Sequence, residues 1–387
     1  MRNFVFHNPT KVIFGRDTIA EIGRQTAVYG KNVLLVYGKG SIKRSHVYNQ
    51  VVKSLAAASI SITEHPGVRS NPVLNHVRRG IAVAKTNRVD AVIAVGGGSV
   101  MDTGKAIGAG ALVEHDVWKF FIAKKSITKT LPVICVPTLA ASGSEMNSAM
   151  VVTNVEKNQK FGFANRHLYP KVSILDPTAT FSVPPDYTAY GAVDAISHLL
   201  EFYFTTRLPF SPVQDRLMEG LILSIMQNCE QVLLKPHDYN SRASLMWCAS
   251  LALSGLTAAG LGKVGFPMHM IEHSLSALYD IPHGAGLSVI IPAWLRCQAE
   301  QEAVKLEQFS KRIFPKRQSI CTDWVSYGIE QLTQWFVNIG CPVTLKDIEV
   351  ETADIPLIAA NALALGKIWR MPEYTQETIE AILRLST

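Results

Sequence analysis

Unbroken apolar runs, rather than alternating ones, mark the first half of the chain. Val33 to Val36 lies between Lys31-Asn32 and a Gly38-Lys39-Gly40-Ser41 turn. Ala91 to Val95 runs from Asp90 into Gly96-Gly97-Gly98-Ser99, and Leu131 to Val136 runs into Pro137. A strand that is apolar at every position is covered on both faces, as in a parallel sheet flanked by helices. Helical patterning over Val47 to Ala58, followed by a short alternating run from Ile60 to Thr63, completes a β-α-β unit. Met150 to Thr153 and Val172 to Leu175 read as further strands. After Pro184-Pro185 the pattern changes to helical periodicity over Tyr190 to Phe204, Val213 to Leu234 and Arg242 to Ala259, with no β pattern through Thr387. The predicted organisation is an α/β domain over 1–185 and an all-helical domain over 186–387.

Composition changes this picture little. A chain of 387 residues is long for one core, and 48% hydrophobic with 18% charged residues fits a globular enzyme and excludes a disordered one. The net charge of +7 raises the question of nucleic acid. The basic residues are scattered, however, and Lys311-Arg312 is separated from Lys316-Arg317 by Ile-Phe-Pro, so no nucleic-acid partner is expected. Six cysteines (135, 229, 248, 297, 321 and 341) show no CxxC spacing, which predicts reduced thiols and a cytoplasmic protein. The N-terminus lacks the apolar run of a secretory signal, and no run is long enough to span a membrane.

The candidate chemistry is concentrated in Phe266 to Leu287. His269 and His273 are four apart, on one helix face, and His283 follows an Ile281-Pro282 break. Asp194 and His198 repeat the four-residue spacing. One carboxylate and three imidazoles suit Fe2+ or Zn2+. Taken alone, either pair is more often explained by histidines hydrogen-bonded in a core than by a metal. Gly96-Gly97-Gly98-Ser99, a strand-to-helix turn, suits a pyrophosphate, since glycines admit close approach and the helix start supplies amide donors. It is not the GxGxxG fingerprint, and a tight packing turn explains it as well. Thr138-Leu-Ala-Ala-Ser-Gly-Ser-Glu145 is a loop of small and hydroxylated residues suited to lining a ligand.

Together these motifs, with PTKVIFG at the start, VYGKGSIKRS, Asn71-Pro72, GGGSVMDTGK, PTLAASGSE, KVSILDP, VDAISHLLE and HMIEHSLSALYDIPHGAGL, resemble the iron-containing (group III) alcohol dehydrogenase family. The similarity runs nearly end to end and is greatest to the NADP-dependent butanol dehydrogenase and broad-range aldehyde reductase branch. It implies the dehydroquinate synthase-like fold, an N-terminal dinucleotide-binding α/β domain and a C-terminal all-helical domain with the active site between them. It further implies metal ligation by Asp194, His198, His269 and His283, with His273 a near neighbour. Gly96, Gly97, Gly98, Ser99 and Asp102 fall to the pyrophosphate, Thr138 and Ser142 to the cofactor, Asn71 to the adenosine side and Lys160 to the nicotinamide end. The common family form PTTAGTGSE is altered here, with Leu139 and Ala141 replacing threonine and glycine and Ser142 replacing threonine. The implied activity is metal-dependent, NAD(P)H-linked interconversion of short primary alcohols and aldehydes, in a homodimer.

A metal lowers the pKa of a bound hydroxyl, and proton transfer then needs a neighbour, for which His273 is the candidate; a structural histidine is the alternative. Cofactor choice is read from the end of the first long strand, where a carboxylate would bond the ribose 2′-hydroxyl and repel a 2′-phosphate. Gly38, Lys39 and Ser41, followed by Lys43 and Arg44, contain no carboxylate and three cations, which predicts NADP(H) over NAD(H). Asn147, Phe163, Leu256 and Phe266 are expected in the pocket wall. Competing readings are a glycerol dehydrogenase or 3-dehydroquinate synthase on the same fold and, remotely, a zinc protease using the HxxEH pattern His269-Met-Ile-Glu272-His273.

Overall fold

The structure, a computed structural model, describes residues 1–208, 210–315 and 322–387; Lys316, Arg317 and Cys321 lie outside these. Eight strands precede the helical half: β1 Lys11–Phe14, β2 Asn32–Gly38, β3 Ser61–Val68, β4 Ala91–Gly96, β5 Val133–Pro137, β6 Ala149–Asn154, β7 Gln159–Ala164 and β8 Val172–Leu175. Six of them form one all-parallel sheet in the order β1-β8-β5-β4-β2-β3. Between them lie α1 Ile22–Thr26, α2 Ser41–Arg44, α3 Val47–Ala57, α4 Leu74–Thr86, α5 Gly98–Gly110 and α6 Trp118–Phe121. The unbroken apolar runs are explained by covering on both faces. Leu34, Val36, Val92, Ala94 and Cys135 pack with α4, α5 and the helical half, while Val33, Leu35, Ile93, Val95 and Ile134 pack with Ile22, Val51 and Leu55.

Three details depart from the sequence reading. Met150 to Thr153 is a strand, but it pairs antiparallel with β7 in a separate two-stranded sheet, a partner that Gln159-Lys160 had disguised by its polarity. The alternating run at Ile60 extends through Pro66 to Val68, which is permitted because β3 is an edge strand. The short strand β1 forms the other edge, with Lys11 and Phe14 exposed.

After β8 the described residues contain only helices: α7 Pro185–Thr205, α8 Pro212–Leu234, α9 Tyr239–Ala252, α10 Pro267–Tyr279, α11 His283–Cys297, α12 Ala303–Ile313, α13 Trp324–Asn338, α14 Ile355–Trp369 and α15 Gln376–Arg384. Proline in the first turn sets the start of α7 and of α10. The helix expected to reach Ala259 stops at Ala252; the chain turns at Gly255, whose φ is +89°. Helix α7 is buried along nearly its whole length from Thr188 to Phe204, so its polar residues must be satisfied from within. No described helix is long and apolar enough to cross a membrane.

The parallel register sets the ends of three adjacent strands side by side. Tyr37 of β2 faces Val95 of β4, and Gly96 of β4 faces Pro137 of β5. The segments 38–41, 96–99 and 137–142 therefore leave one edge of the sheet together. The strand order reverses between β2 and β4, where doubly wound sheets bind their ligands.

Candidate metal centre and cofactor cleft

Asp194, His198 and Glu201 share one face of α7, His269, Glu272 and His273 lie on α10, and His283 is the first residue of α11. The turn between α10 and α11 places Asp280 at φ 54° and is held by Asn71, whose Nδ2 donates to Asp280 Oδ1 and to the Ile281 carbonyl, each at 3.1 Å. Gly284 then lets α11 start directly on α7, since a Cβ there would stand 2.1 Å from the Tyr190 carbonyl oxygen. The result is one cluster. His198, His269 and His283 direct their Nε2 atoms at Asp194 Oδ1, at 3.6, 3.7 and 3.7 Å. These separations exceed hydrogen-bond length and approach the edge of a tetrahedron about a divalent ion, about 3.4 Å for bonds near 2.1 Å. Asp194 Oδ1 and His269 Nε2 are buried with no hydrogen-bond partner among the described residues, the state expected of atoms reserved for a cation.

The rear of the cluster is tied down by two carboxylates that the sequence reading did not assign. Glu201 Oε1 accepts from the backbone N–H of His269 at 3.0 Å and from its Nδ1 at 3.1 Å. Glu272 Oε2 bonds Nδ1 of His283. Each contact fixes the tautomer that leaves Nε2 bare, as outer carboxylates do in metal sites. The signal was present for Glu201, seven residues after Asp194 and so on the same helix face. For Glu272 nothing in the sequence tells which histidine it serves. Burial works against the Asp194 charge, but the facing imidazoles outweigh it and hold the carboxyl well below its usual range. Burial pushes His198 down to about 3, whereas the Asp194 and Glu201 contacts overcome burial at His269 and raise it to about 9.

His273 stands apart from the four. Its ring centroid is 5.5 Å from that of His283 and 5.6 Å from that of Trp369, and burial, then Lys160, hold it neutral. His269, His273 and His283 thus do not converge on one point, as their spacing had allowed. Glu272, His273 and His283 also lie close enough for a second ion. That arrangement is disfavoured because Glu272 is engaged by His283, by the Ser276 hydroxyl and by Lys160 at 3.5 Å. For the same reason Glu272 is no free base, which removes the protease reading of the HxxEH pattern.

The cofactor residues divide. Gly98, Ser99, Asp102, Ser142 and Lys160 line a cavity of about 1000 Å³ that also reaches Asp194, His198, His269, His273 and His283. Gly98 is required there, since a Cβ would lie 2.4 Å from Ser142 Oγ. Leu139 joins the wall as an apolar group, closest to Gly97. Asp102 is a strut, accepting from Ser144 Oγ at 2.7 Å and from the Val151 amide at 2.9 Å. Lys160 Nζ donates to Ser276 Oγ at 2.9 Å and lies 3.3 Å from His283 Nδ1, and burial lowers its pKa. Asn71, implied for the adenosine side, lines the cavity with its amide already committed to the 280–281 turn. Gly96, Gly97 and Thr138 do not line the cavity; Gly96 is buried and the other two are half-buried, with Thr138 N–H on the Gly96 carbonyl at 3.1 Å. Gly38, Lys39 and Ser41 are outside the cavity, at the neighbouring strand end. Asn147, Phe163 and Phe266 line it as expected; Leu256 does not, because the chain has already turned at Gly255, and Leu253 takes that place.

Comparison with known proteins bears on the whole chain. Residues 9–177 match the family model of iron-containing alcohol dehydrogenase, and residues 188–387 match the C-terminal model of the Fe-containing alcohol dehydrogenase family. A probable NADH-dependent butanol dehydrogenase of Bacillus subtilis is 38% identical over 100% of both chains. The NADPH-dependent aldehyde reductase YqhD of Escherichia coli is 31% identical, over 92% of each chain. The crystal structure of an NADH-dependent butanol dehydrogenase A from Thermotoga maritima superposes with a TM-score of 0.96 at 44% identity, covering 100% of this chain and 99% of that one. The chain belongs to the iron-containing alcohol dehydrogenase family and is an oxidoreductase, an alcohol dehydrogenase.

Proposed function

We propose that the enzyme interconverts short primary aldehydes and alcohols, with one divalent metal held by Asp194, His198, His269 and His283. The observation that carries this reading is the set of three bare Nε2 atoms around the partnerless Asp194 Oδ1. A metal there supplies Lewis acidity toward a carbonyl oxygen, and a reduced nicotinamide supplies the hydride. A donor set of one carboxylate and three imidazoles would suit Fe2+ or Zn2+, and Fe2+ is preferred because it tolerates more than four donors more readily than Zn2+. Glu201 and Glu272 hold two imidazoles in the ligating tautomer. Lys160, buried against Glu272 and Ser276, fixes the floor of the cleft, and His273 beside the metal cluster is the candidate for passing a proton.

For the cofactor we favour NADPH. No carboxylate stands in the 38–41 turn, and Lys39 and Arg44 have no ion-pair partner among the described residues. Lys43 is less available than its position suggests, since it lies over the Tyr37 and Tyr48 rings, whose hydroxyls bond Glu64. NADH is the second reading, favoured by that diversion of Lys43 and by the similarity to NADH-dependent butanol dehydrogenases of B. subtilis and T. maritima. A homodimer is proposed from the exposed Phe4, Val5 and Phe6, an apolar arm that a second copy would cover. The five described cysteines are all free, which suits the reducing cytoplasm. Two domains meeting near Pro185, with the cleft between them, complete the reading. The test is oxidation of NADPH and of NADH with butanal, after removal of metal and reconstitution with Fe2+ or Zn2+. Turnover that is the same before and after metal removal would overturn the reading.

A further inference from the structure

A cluster of aromatic and charged side chains stands beside the 38–41 turn and takes no part in the metal centre or in the lining of the cavity. Glu64 of β3 is in register with Leu35 of β2, so its side chain leaves the sheet on the same face as that of Tyr37. The Tyr37 hydroxyl and the Tyr48 hydroxyl from α3 both donate to the Glu64 carboxylate, one to each oxygen. The two rings stand 5.7 Å apart, and the Lys43 ammonium from α2 lies over both, 5.3 Å from the Tyr37 centroid and 4.7 Å from that of Tyr48. The Tyr37 and Tyr48 hydroxyls, and after them Lys43, hold the Glu64 carboxyl below its usual range against the effect of burial, so the group is ionised at neutral pH. A phenol that donates to a carboxylate carries more negative charge on its ring, and a ring so charged holds a cation more firmly.

Lys43 is separated from Ser41 by Ile42 alone, and its four-carbon stem is flexible, so the ammonium has two destinations: the tyrosine rings, or an anion held at the 38–41 turn. We propose that Glu64 is a specificity-determining residue for the cofactor, which through Tyr37 and Tyr48 keeps Lys43 on the rings and away from the turn, and so weakens binding of a dinucleotide that carries a 2′-phosphate. The inference rests on the reading that the 2′-phosphate lies at this turn. It divides cofactor choice between two features. The absence of a carboxylate from 38–41 admits the phosphate, whereas the withdrawal of Lys43 limits how tightly the phosphate is held. Glu64 touches neither the cofactor nor the reacting atoms; it is a positioning residue that acts through Lys43.

Glu64→Gln is the direct test. Glu64 is exposed on an edge strand and glutamine has its shape; the amide oxygen accepts from one tyrosine hydroxyl and the amide N–H donates to the other, so the fold is kept while the charge is lost. The dissociation constants of NADPH and NADH are measured by nicotinamide fluorescence with the metal-loaded wild type, Glu64→Gln, Lys43→Met and the double variant. At low salt the ratio of the NADPH constant to the NADH constant is expected to fall about three- to tenfold in Glu64→Gln, the effect of one freed cation on a phosphate of nearly two charges. In about 0.5 M NaCl that shift should shrink to about twofold or less, and in the Lys43→Met background the same substitution should move the ratio by no more than about twofold. An unchanged ratio in Glu64→Gln overturns the inference, as does a shift equally large without Lys43, which would make Glu64 act by its own charge. A shift that keeps its full size in high salt also overturns it, since repacking of the turn is not screened. If Glu64→Gln is silent while Gly38→Asp still weakens NADPH more than NADH, the role of Glu64 falls and the cofactor reading stands. If Gly38→Asp weakens both cofactors equally, the placement of the 2′-phosphate falls, and the role of Glu64 with it.

Discussion

The two ends of the cleft are built on opposite principles. At the metal cluster every ligand type is a side chain on a helix, buried except for the half-buried His283, and two of the four are braced from behind by a carboxylate with no exposure. At the cofactor end the surface is mostly backbone and small residues, and the side chains named there serve the protein first: Asp102 holds Ser144 and Val151, and Asn71 holds the 280–281 turn. The difference teaches where substitutions will be absolute and where they will be graded. A buried constellation loses its function with one member, whereas a loop of amides and glycines changes affinity by degrees.

The sharpest way to break the comparison is His269→Ala or His283→Ala. Each should remove most bound metal and lower turnover by about a thousandfold or more, with circular dichroism unchanged. Wild-type metal content by elemental analysis in both variants would refute the assignment. Next in size is His273→Ala, for which metal should be retained and kcat should fall roughly ten- to thousandfold if the imidazole passes the proton. An unchanged rate over the accessible pH range would make it a packing residue between His283 and Trp369.

Glu201→Gln asks whether the bracing carboxylates matter to the ion. Loss of the charge behind His269 should weaken metal affinity roughly ten- to hundredfold in chelator competition, while the fully metal-loaded variant keeps most of its turnover. Equal affinity would show that the carboxylate only fills space. The smallest effect is expected at the other end of the cleft. Gly38→Asp has room, since the nearest atom to its Cβ is the Val68 carbonyl oxygen at 3.6 Å. Its carboxylate should raise KM for NADPH about tenfold more than KM for NADH. Equal changes would mean that no 2′-phosphate binds beside Lys39.

Much of the fold was legible because local rules suffice for it. The unbroken runs at Val33, Ala91 and Val133 announce strands covered on both faces, and Pro184-Pro185 announces the change to helical periodicity. What was missed lacked a local signal. Lys11 to Phe14 is too short and too exposed to read as a strand, and Gln159-Lys160 is polar yet pairs with Thr153-Asn154. Lys105 is another such residue: fully buried in α5, it reaches the carbonyls of Asn147 and Ala149, partners some forty residues away.

The sequence by itself determined that Asp194 and His198 share one helix face, that His269 and His273 share another, and that a glycine turn closes a buried strand. Those statements follow from helical and strand periods, which act over a few residues. Tertiary structure alone decided that His269 and His283, and not His273, turn their Nε2 atoms toward Asp194, and that Glu272 serves His283 while Glu201 serves His269. Those choices depend on how closely α11 can start against α7 and α10, a distance set by Gly284 against Tyr190 and by the Asn71 bonds to the turn before it. Periodicity carries no record of such a separation, because it is fixed by contacts between residues ninety or more positions apart, Gly284 against Tyr190 and Asn71 against Asp280.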